Sequence, residues 1–483
     1  MTLTSPARPA SSSRGPRGGA GLLDARPMRH PDTSSPEVMT RRGWWLVVLG
    51  WLIPGSAQVL AGNRRLGRIG IASTLALWLV LAVLALGLLL WRAGTVTFVL
   101  FPPVSLLGGI ALIAYGVLWI LLAIDTLRLV RLVKTRSPGR YLIALLSVAT
   151  MVVTGGVVAY GAPRMFAASS GLGSMLQFGP PIPPSDGYYN ILLLGADSGE
   201  GRDSMRFDSI SVVSINADTG AVTITGIPRD MPHFPFAEGP MQELYPDGHQ
   251  GRADPQCGWG SGINQLRTEV ELCRADENLY PDAESHGSTP GVEATKDAVE
   301  GILGIEIPYY VFIDMNGFAA LVDALGGVEI EVTERLPKGW GPPPEDPGAP
   351  ADEWAIGWIE PGLQRMDGDT AQWYARSRYT TNDWDRMKRQ RQLQEAILAQ
   401  FTPQNVLDRF EEIVGAGEYL VQTDIPQTMI GPFVDLGVKA KEQPMTSIEL
   451  TPEGGVDAEE PDYEAVREMV QSTLHPPTET PAP

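Results

Sequence analysis

The sequence predicts an α/β or α+β domain that follows an N-terminal α-helical membrane region. Long apolar stretches lie in the first third of the chain, and short strand patterns mixed with helical patterns follow from about residue 188. The charge divides in the same way. Residues 1–163 carry 16 Lys and Arg against 4 Asp and Glu, whereas the remainder carries 21 against 52. The strongly acidic second part argues against nucleic-acid binding, which needs a basic surface.

The first 163 residues predict a tail and several membrane segments. Residues 1–40 are rich in Pro, Ser, Gly and Arg, which predicts a disordered cytoplasmic tail. Within the membrane region 41–163, the segment 44–62 contains Pro54-Gly55 and polar residues, which favour a re-entrant or interfacial hairpin. Three later stretches are each long enough to cross a hydrocarbon layer of roughly 30 Å as a helix. These are residues 69–91, 97–124 and 141–163.

Basic residues set the expected orientation. Arg64, Arg65 and Arg68 precede the first span, and five Arg and Lys residues lie between the last two. Loops rich in Arg and Lys stay in the cytoplasm. Three crossings place the N-terminus in the cytoplasm and everything after Pro163 outside the membrane. Four crossings would place the basic N-terminal tail outside, against the charge rule. We expect a multi-pass plasma-membrane protein with an extracytoplasmic domain.

The second part predicts a linker at 164–187, a domain at 188–474 and a disordered tail at 475–483. Residues 233–262 and 336–362 read as inserted surface loops, the second with Trp340, Trp354 and Trp358. The expected strands are Tyr189–Gly195, Ser209–Asn216, Ala221–Ile227, Tyr310–Ile313 and Val328–Val332. The expected helices are Val292–Leu303, Gly317–Leu325 and Asp383–Phe401, the last with Asn382 as N-cap and Asp385 three residues on.

Two residue types limit the chemistry. Cys257 and Cys273 could form a disulfide in an oxidising compartment, or remain two thiols. The four histidines of the second part lie away from the charged motifs, which disfavours a serine-hydrolase triad.

Arginine and aspartate recur together where strands and helices begin or end. Arginine suits phosphate because its planar fork donates two parallel charge-assisted hydrogen bonds, and nearby carboxylates suit Mg²⁺. Each pair alone is more often a structural ion pair than a binding site. Asp383, Arg386 and Gln390 share one helical face. The groups are Asp197 after a strand, Arg206 with Asp208, Arg229 with Asp230, Arg376 with Arg378, and Asp383 with Arg386, Arg389 and Gln390.

Residues 190–401 resemble the LytR-CpsA-Psr family of cell-wall polymer transferases. The resemblance rests on an ordered set of short motifs. They are Asn190–Asp197, Arg206–Asp208, Ile227–Asp230, Asn264, Val322–Val328, Arg376–Arg378 and Asp383–Gln390. It implies an α-β-α sandwich with a central mixed sheet and a groove for a polyprenyl tail. It also implies transfer of a glycopolymer from a polyprenyl-pyrophosphate carrier to peptidoglycan.

The resemblance also implies roles for individual residues. Asp197 and Asp208 would be Mg²⁺ ligands. Asp383 and Gln390 would orient the arginines or serve the acceptor, with Asp383 a candidate general base. Asn264, Arg389 and Gln390 would be cofactor-binding residues. The residues expected to contact the pyrophosphate are Arg206, Arg229, Arg376, Arg378 and Arg386.

The chain departs from the family pattern at two site positions and in its number of spans. Gly262 stands where members often have Lys, and Phe207 replaces a small polar residue, which is expected to narrow the site. Two alternatives stay open: hydrolysis of the lipid-linked pyrophosphate, and a non-catalytic scaffold that binds lipid or cell wall. High use of Arg, Ala, Gly and Pro suggests a high-GC Gram-positive, actinobacterial host.

Overall fold

The computed structural model describes residues 28–177, 179–196, 206–250, 262–400, 403–441 and 443–476. The chain divides into two compact units. One contains the residues up to Val83 together with Ile110–Ala162, and the other contains Leu84–Gly109 and everything from Pro163.

Within the described residues, three helices are long and apolar enough to cross a membrane, as the sequence predicts. They comprise Arg64–Leu90, Pro102–Lys134 and Ser137–Ser174. The N-terminal helices are α1 (Pro36–Leu52), α2 (Ser56–Ala61), α3 (Arg64–Leu90), α4 (Arg92–Leu100), α5 (Pro102–Val130) and α6 (Ser137–Met175).

Two expected boundaries in this region are wrong. The second span was expected from residue 97, but Phe101 leaves the helical conformation, with φ −58° and ψ 124°, and separates α4 from α5 before Pro102. The linker was expected from residue 164, but α6 continues to Met175 with Pro163 inside it. A proline removes one helical hydrogen bond, and the alanines that follow favour helix, so α6 is not terminated there.

The segment expected as a hairpin is a pair of helices, α1 and α2, joined at Gly55. Gly55 has φ +98°, and a Cβ there would lie 2.4 Å from the Gly67 carbonyl oxygen, so glycine permits this close approach. Gln58 is buried and donates to the Leu122 carbonyl at 2.9 Å.

The expected N-terminal tail ends before residue 40, because Ser35 caps α1 and residues 36–40 are helical. Residues 1–27 lie outside the described part of the chain.

A six-stranded mixed sheet forms the centre of the second unit. Its order is β10-β3-β2-β1-β4-β9, with β1 parallel to β4, β10 parallel to β3, and the other neighbours antiparallel. Two further pairs, β5 with β8 and β6 with β7, form small separate sheets. The strands are β1 (Tyr188–Ala196), β2 (Phe207–Asn216), β3 (Val222–Ile227), β4 (Tyr309–Asp314), β5 (Val328–Val332), β6 (Leu336–Lys338), β7 (Gly357–Ile359), β8 (Gly362–Met366), β9 (Val421–Thr423) and β10 (Thr446–Glu449).

Apolar side chains pack on both faces of this sheet. Leu192 and Leu194 of β1 belong to a large core that includes Val299 and Val470, whereas Ile191 on the opposite face packs beside Met429. The helices of this part are α7 (Pro240–Leu244), α8 (Leu266–Thr268), α9 (Pro290–Leu303), α10 (Met315–Ala324), α11 (Ala351–Trp354), α12 (Gly368–Arg376), α13 (Asp383–Gln400), α14 (Pro403–Asp408), α15 (Phe410–Leu420), α16 (Ile430–Ala440) and α17 (Tyr463–Leu474).

The described parts of the two stretches expected as surface loops contain packed or regular structure, and residues 251–261 of the first lie outside the described residues. In the first, Phe234 and His249 are buried, their rings stack at 5.0 Å, and His249 contacts Glu269 at 2.9 Å. The second contains the β6–β7 hairpin and α11. The expected tail begins with His475, which contacts Asp186 at 2.8 Å. Residues 477–483 lie outside the described chain.

Cys273 is disulfide-bonded. The chain has one other cysteine, Cys257, which lies outside the described residues.

Candidate functional site

Strand ends from four central strands meet at one edge of the sheet. The last residue of β1, Ala196, is opposite Phe207 at the start of β2 and beside Asp314 at the end of β4. Ile227 at the end of β3 is paired with Ile210 of β2. The antiparallel register therefore brings Asp208 and Arg229, which are 21 residues apart in sequence, to the same edge.

An ion-pair network crosses this edge with Asp383 at its centre. The Arg229 guanidinium lies 2.5 Å from Asp208 and 3.7 Å from Asp383. Arg386 donates to the other oxygen of Asp383 at 3.0 Å, and Arg378 lies 3.7 Å from Asp383. Three guanidinium groups therefore surround one carboxylate.

The start of α13 places two members of this network. Asn382 and Asp385 form a reciprocal capping box: the Asp385 N–H donates to Asn382 Oδ1 at 2.9 Å, and the Asn382 N–H donates to Asp385 at 3.3 Å. The helix then presents Asp383, Arg386 and Gln390 on one face. The Gln390 amide donates to the Ala375 carbonyl at 3.4 Å, which joins this face to the end of α12.

Electrostatics at the site favour an added anion. Burial, followed by repulsion from Arg229, lowers the pKa of Arg386. Burial also acts to lower the pKa of Arg229, but the attraction of Asp208, Asp230 and Asp383 outweighs burial and raises it. Within the described chain, Arg386 Nε and Asp383 Oδ1 are buried without a hydrogen-bond partner. A buried donor on a destabilised cation is a position where an anionic ligand gains a strong interaction.

A cavity of about 280 Å³ lies against this network. Its lining includes one aspartate, Asp208, and four arginines, so positive charge is in excess. The arginines are Arg229, Arg376, Arg378 and Arg386, and Gln390, Trp340, Trp373 and Tyr379 complete much of the wall.

A larger cavity, of about 630 Å³, provides a contrast. It lies at the other end of β4 beside Tyr309 and contains Lys296. Lys296 Nζ contacts Asp424 at 2.5 Å and Glu293 at 3.3 Å, so two carboxylates neutralise its charge. The buried cation at this end has two carboxylate partners, whereas Arg386 shares its partner Asp383 with Arg229 and Arg378.

A family model supplies the relationship of this domain to known proteins. The model described as the LytR_cpsA_psr family matches residues 175–233 and 267–473, which together make up more than half of the chain. The chain belongs to the LytR_cpsA_psr family. The motif-based resemblance is thereby confirmed, and the match extends beyond Phe401 to include α16 and α17.

Individual relatives match about half of the chain. A protein of Halalkalibacterium halodurans named polyisoprenyl-teichoic acid–peptidoglycan teichoic acid transferase TagU is 28% identical over 49% of this chain and 61% of its own length. Biofilm regulatory protein A of Streptococcus mutans is 26% identical over 49% of this chain and 50% of its own length. The chain thus spans less than two thirds of the length of these curated relatives.

Solved structures also align with the domain. Protein gbs0355 of Streptococcus agalactiae covers 59% of this chain and 88% of its own, with 23% identity and a TM-score of 0.42. TagV of B. subtilis covers 59% and 97%, with 21% identity and a TM-score of 0.39.

Most site residues suggested by the resemblance to this family come together in the structure. The ones that line the arginine cavity or its ion-pair network are Asp208, Arg229, Arg376, Arg378, Asp383, Arg386 and Gln390. Arg206 is exposed at the start of β2 and lies outside the described cavity lining. Asp197 lies outside the described residues.

Arg389 and Asn264 have structural partners in the second unit. Arg389 is buried and donates to the carbonyls of Tyr374 and Ser377 and to the Thr381 hydroxyl. It therefore braces the segment that carries Arg376 and Arg378, rather than lining the cavity. Asn264 is buried, its N–H donates to the Arg229 carbonyl at 3.1 Å, and its Oδ1 has no hydrogen-bond partner within the described residues.

The two departures from the family pattern have physical explanations. A Cβ on Gly262 would lie 2.6 Å from Asp230 Cα, so this chain packs backbone where members often carry Lys. Phe207 was expected to narrow the site, but its side chain is fully buried and packs edge-on against Phe312 at 5.8 Å. The expected narrowing is therefore wrong, since Phe207 faces the core.

Sequence reasoning missed the aromatic part of the cavity wall. Trp340 was noted only as part of an insert, and Trp373 and Tyr379 were not singled out. A signal was present for Trp373 and Tyr379, because these large aromatic residues flank the motif Arg376–Arg378 on both sides in the sequence.

Proposed function

We propose that this chain is a membrane-anchored transferase that moves a glycopolymer from a polyprenyl-pyrophosphate carrier to peptidoglycan. The observation that carries the proposal is the buried Arg386 beside three other arginines in a cavity with one aspartate. A pyrophosphate has several negative charges, and arginine forks match its oxygens. Relatives named as polyisoprenyl-teichoic acid–peptidoglycan transferases support the same substrate class.

In the proposed reaction, an acceptor hydroxyl of peptidoglycan attacks the phosphorus that carries the glycopolymer. A bond forms between the acceptor oxygen and this phosphorus, and the bridging P–O bond of the pyrophosphate breaks. Its electron pair leaves with polyprenyl phosphate, and the hydroxyl proton passes to a base or to water. The arginines stabilise charge that develops on the leaving phosphate.

Asp383 fits a positioning role in this reaction. Both of its carboxylate oxygens face guanidinium groups, from Arg386 on one side and from Arg229 and Arg378 on the other. The carboxylate fixes the direction of three cations and thereby preorganises the pyrophosphate site.

Mg²⁺ is part of the proposal. Asp208 provides a hard oxygen donor at the cavity, the ligand type that Mg²⁺ prefers. The described residues contain no group of three or more His, Cys, Asp or Glu that could hold a metal. Asp208 and Asp197 would hold the ion together with substrate oxygens, and it would neutralise charge on the pyrophosphate.

We place the domain on the outer side of the plasma membrane, as an α-β-α sandwich held by several spans. The short helix α4, which follows the first span, packs against α16 of the domain. Arg92 contacts Asp435 at 3.1 Å, and the Gly431 N–H donates to Thr97 Oγ1 at 3.1 Å. This contact supports an odd number of crossings, since the domain also follows the last span.

The test is a transfer assay with the full-length protein in lipid nanodiscs. Wild type receives a polyprenyl-pyrophosphate-linked glycan and Mg²⁺, with or without peptidoglycan. Arg378→Ala is compared with Lys388→Ala, because the two side chains are 51% and 49% exposed and only Arg378 lines the cavity. We expect acceptor-dependent loss of lipid pyrophosphate that falls about tenfold in Arg378→Ala and is retained in Lys388→Ala.

Turnover without acceptor would instead indicate a hydrolase. Binding without turnover under either condition would indicate a lipid-holding scaffold. Equal activity in Arg378→Ala and Lys388→Ala would remove the arginine cavity as the site of the reaction.

A further inference from the structure

An exposed tryptophan stands in the wall of the arginine cavity. Trp340 is 62% exposed, and it lines the cavity together with Arg376 and Tyr379. Single exposed apolar residues are common on protein surfaces, so exposure alone carries little weight.

The backbone around Trp340 is shaped to present this side chain. Gly339 and Gly341 on either side have φ +143° and +98°, a region that favours glycine. A Cβ on Gly341 would overlap the Tyr379 hydroxyl group, so a larger residue there would displace the Tyr379 side chain. The Tyr379 hydroxyl in turn donates to the Trp340 carbonyl at 2.5 Å. The turn is therefore fixed to the segment that carries the cavity arginines.

The indole is also held by its neighbours. The Arg376 guanidinium carbon lies 4.4 Å from the Trp340 ring centroid, and the buried Trp373 ring contacts it edge-on at 5.3 Å. These contacts keep an exposed aromatic surface immediately beside a phosphate-binding arginine. A rigid aromatic surface loses little conformational entropy when a ligand stacks on it.

We propose that Trp340 is a carbohydrate-stacking residue for the sugar joined to the donor pyrophosphate. This inference rests on the proposed function. In such a donor the first sugar is bonded directly to the second phosphate, so it must lie next to the arginines that hold the pyrophosphate. A sugar ring has an apolar face of C–H groups that packs on an indole ring, while its hydroxyls remain in water. The polyprenyl chain fits this place less well, because it gains most from a buried apolar surface.

The experiment measures binding of two probes to the full-length protein in nanodiscs by calorimetry. One probe is geranylgeranyl pyrophosphate, and the other is the same lipid pyrophosphate carrying N-acetylglucosamine. The variants are Trp340→Ala and Trp340→Phe, with Trp358→Ala as a control. Trp358 lies in the same insert, stacks on Arg335 at 3.7 Å and lies outside the described cavity lining.

We expect Trp340→Ala to weaken binding of the sugar-bearing probe about tenfold and to leave the sugar-free probe unchanged. Trp340→Phe restores most of the loss, and Trp358→Ala binds both probes as wild type does. Equal weakening of both probes would overturn the inference, because Trp340 would then act on the phosphates through Arg376 or on the lipid. Unchanged binding of both probes would overturn it as well.

A third probe, a soluble peptidoglycan disaccharide, distinguishes donor from acceptor. A loss confined to that probe would overturn the assignment to the donor sugar. Failure of the wild type to bind geranylgeranyl pyrophosphate would contradict the proposed function itself, independently of any result at Trp340.

Discussion

Replacement of Arg386 by Met separates ligand binding from folding at this site. The Arg386 side chain is 6% exposed and has Asp383 as its close carboxylate partner, at 3.0 Å. Asp383 would keep Arg229 and Arg378, each at 3.7 Å, so its charge would not be left alone. Methionine has a similar length, is apolar and adapts to irregular space.

The expected effect of Arg386→Met on folding stability is much smaller than its expected effect on ligand binding. Exchange of a buried ion-pair member for an apolar residue of similar volume is often nearly neutral when its partner stays compensated. Removal of the repulsion between Arg229 and Arg386 also stabilises the folded state of the variant. We therefore expect the free energy of unfolding to change by less than about 1 kcal/mol, or a Tm shift below about 4 °C. Loss of one buried cation from a bound anion costs about 2–5 kcal/mol, or at least about 30-fold in affinity.

The assay combines calorimetric binding of geranylgeranyl pyrophosphate with thermal unfolding, both on the full-length protein in nanodiscs. Arg391→Met is the matched control. Arg391 is also buried on α13, but it contacts Glu449 at 2.8 Å and lies outside the described lining of the arginine cavity. Its loss would leave Glu449 unpaired, so we expect a lower Tm and an affinity within about threefold of wild type.

Two results would refute this reasoning. Arg386→Met could bind the pyrophosphate as tightly as wild type, in which case Arg386 is a structural residue. Alternatively, affinity could fall in both variants in proportion to Tm, in which case the loss reflects unfolding rather than a missing contact.

Three other substitutions test a buried carboxyl group of the core and two residues that position the arginines of the site. Burial raises the pKa of Glu300 to about 7, above its usual 4.5, so this carboxyl stabilises the fold below about pH 4.5 and loses that contribution as pH rises through 7. Glu300→Gln should therefore raise the free energy of unfolding at pH 8 by up to about 3 kcal/mol. In thermal unfolding, the difference in stability between variant and wild type should disappear near pH 4.5. An equal difference at both pH values would contradict this prediction. Gly262→Ala should weaken pyrophosphate binding about tenfold or more, because the new Cβ would displace the Asp230 backbone and with it the neighbouring Arg229. An unchanged affinity in calorimetry would show that the chain after β3 moves to accept the Cβ. Arg389→Ala should lower Tm, because the buried Ser377 carbonyl loses a donor, at a cost of about 1–3 kcal/mol. An unchanged Tm with lost binding would instead mean that Arg389 contacts the donor directly.

Local patterns were sufficient to predict much of the sheet and part of the site. Alternating apolar residues identified β2, and the Asp-Thr-Gly turn before β3 is observed with Gly220 at φ +75°. The antiparallel return brings Asp208 and Arg229 to one edge, which the spacing of the motifs alone did not show. The capping box at Asn382 could also be predicted from the sequence, because it involves residues three positions apart.

Features that depend on distant contacts could not be predicted in this way. Strands β9 and β10 have three and four residues, too few for a clear alternation, and each is defined by pairing with a distant strand. Trp340 reaches the cavity because its turn packs on Tyr379, 39 residues later. The compensation of Lys296 by Asp424, 128 residues apart, is likewise visible only in the folded chain.

The most direct test of the central claim follows each phosphorus of the donor separately. A polyprenyl-pyrophosphate-linked glycan is prepared with label either in the phosphate next to the sugar or in the phosphate next to the lipid. Wild-type protein in nanodiscs is given Mg²⁺ and peptidoglycan. We predict that label next to the sugar enters peptidoglycan in a phosphodiester, while label next to the lipid remains in polyprenyl phosphate. Label next to the sugar recovered on free glycan in water, or retained in intact donor, would contradict the transferase.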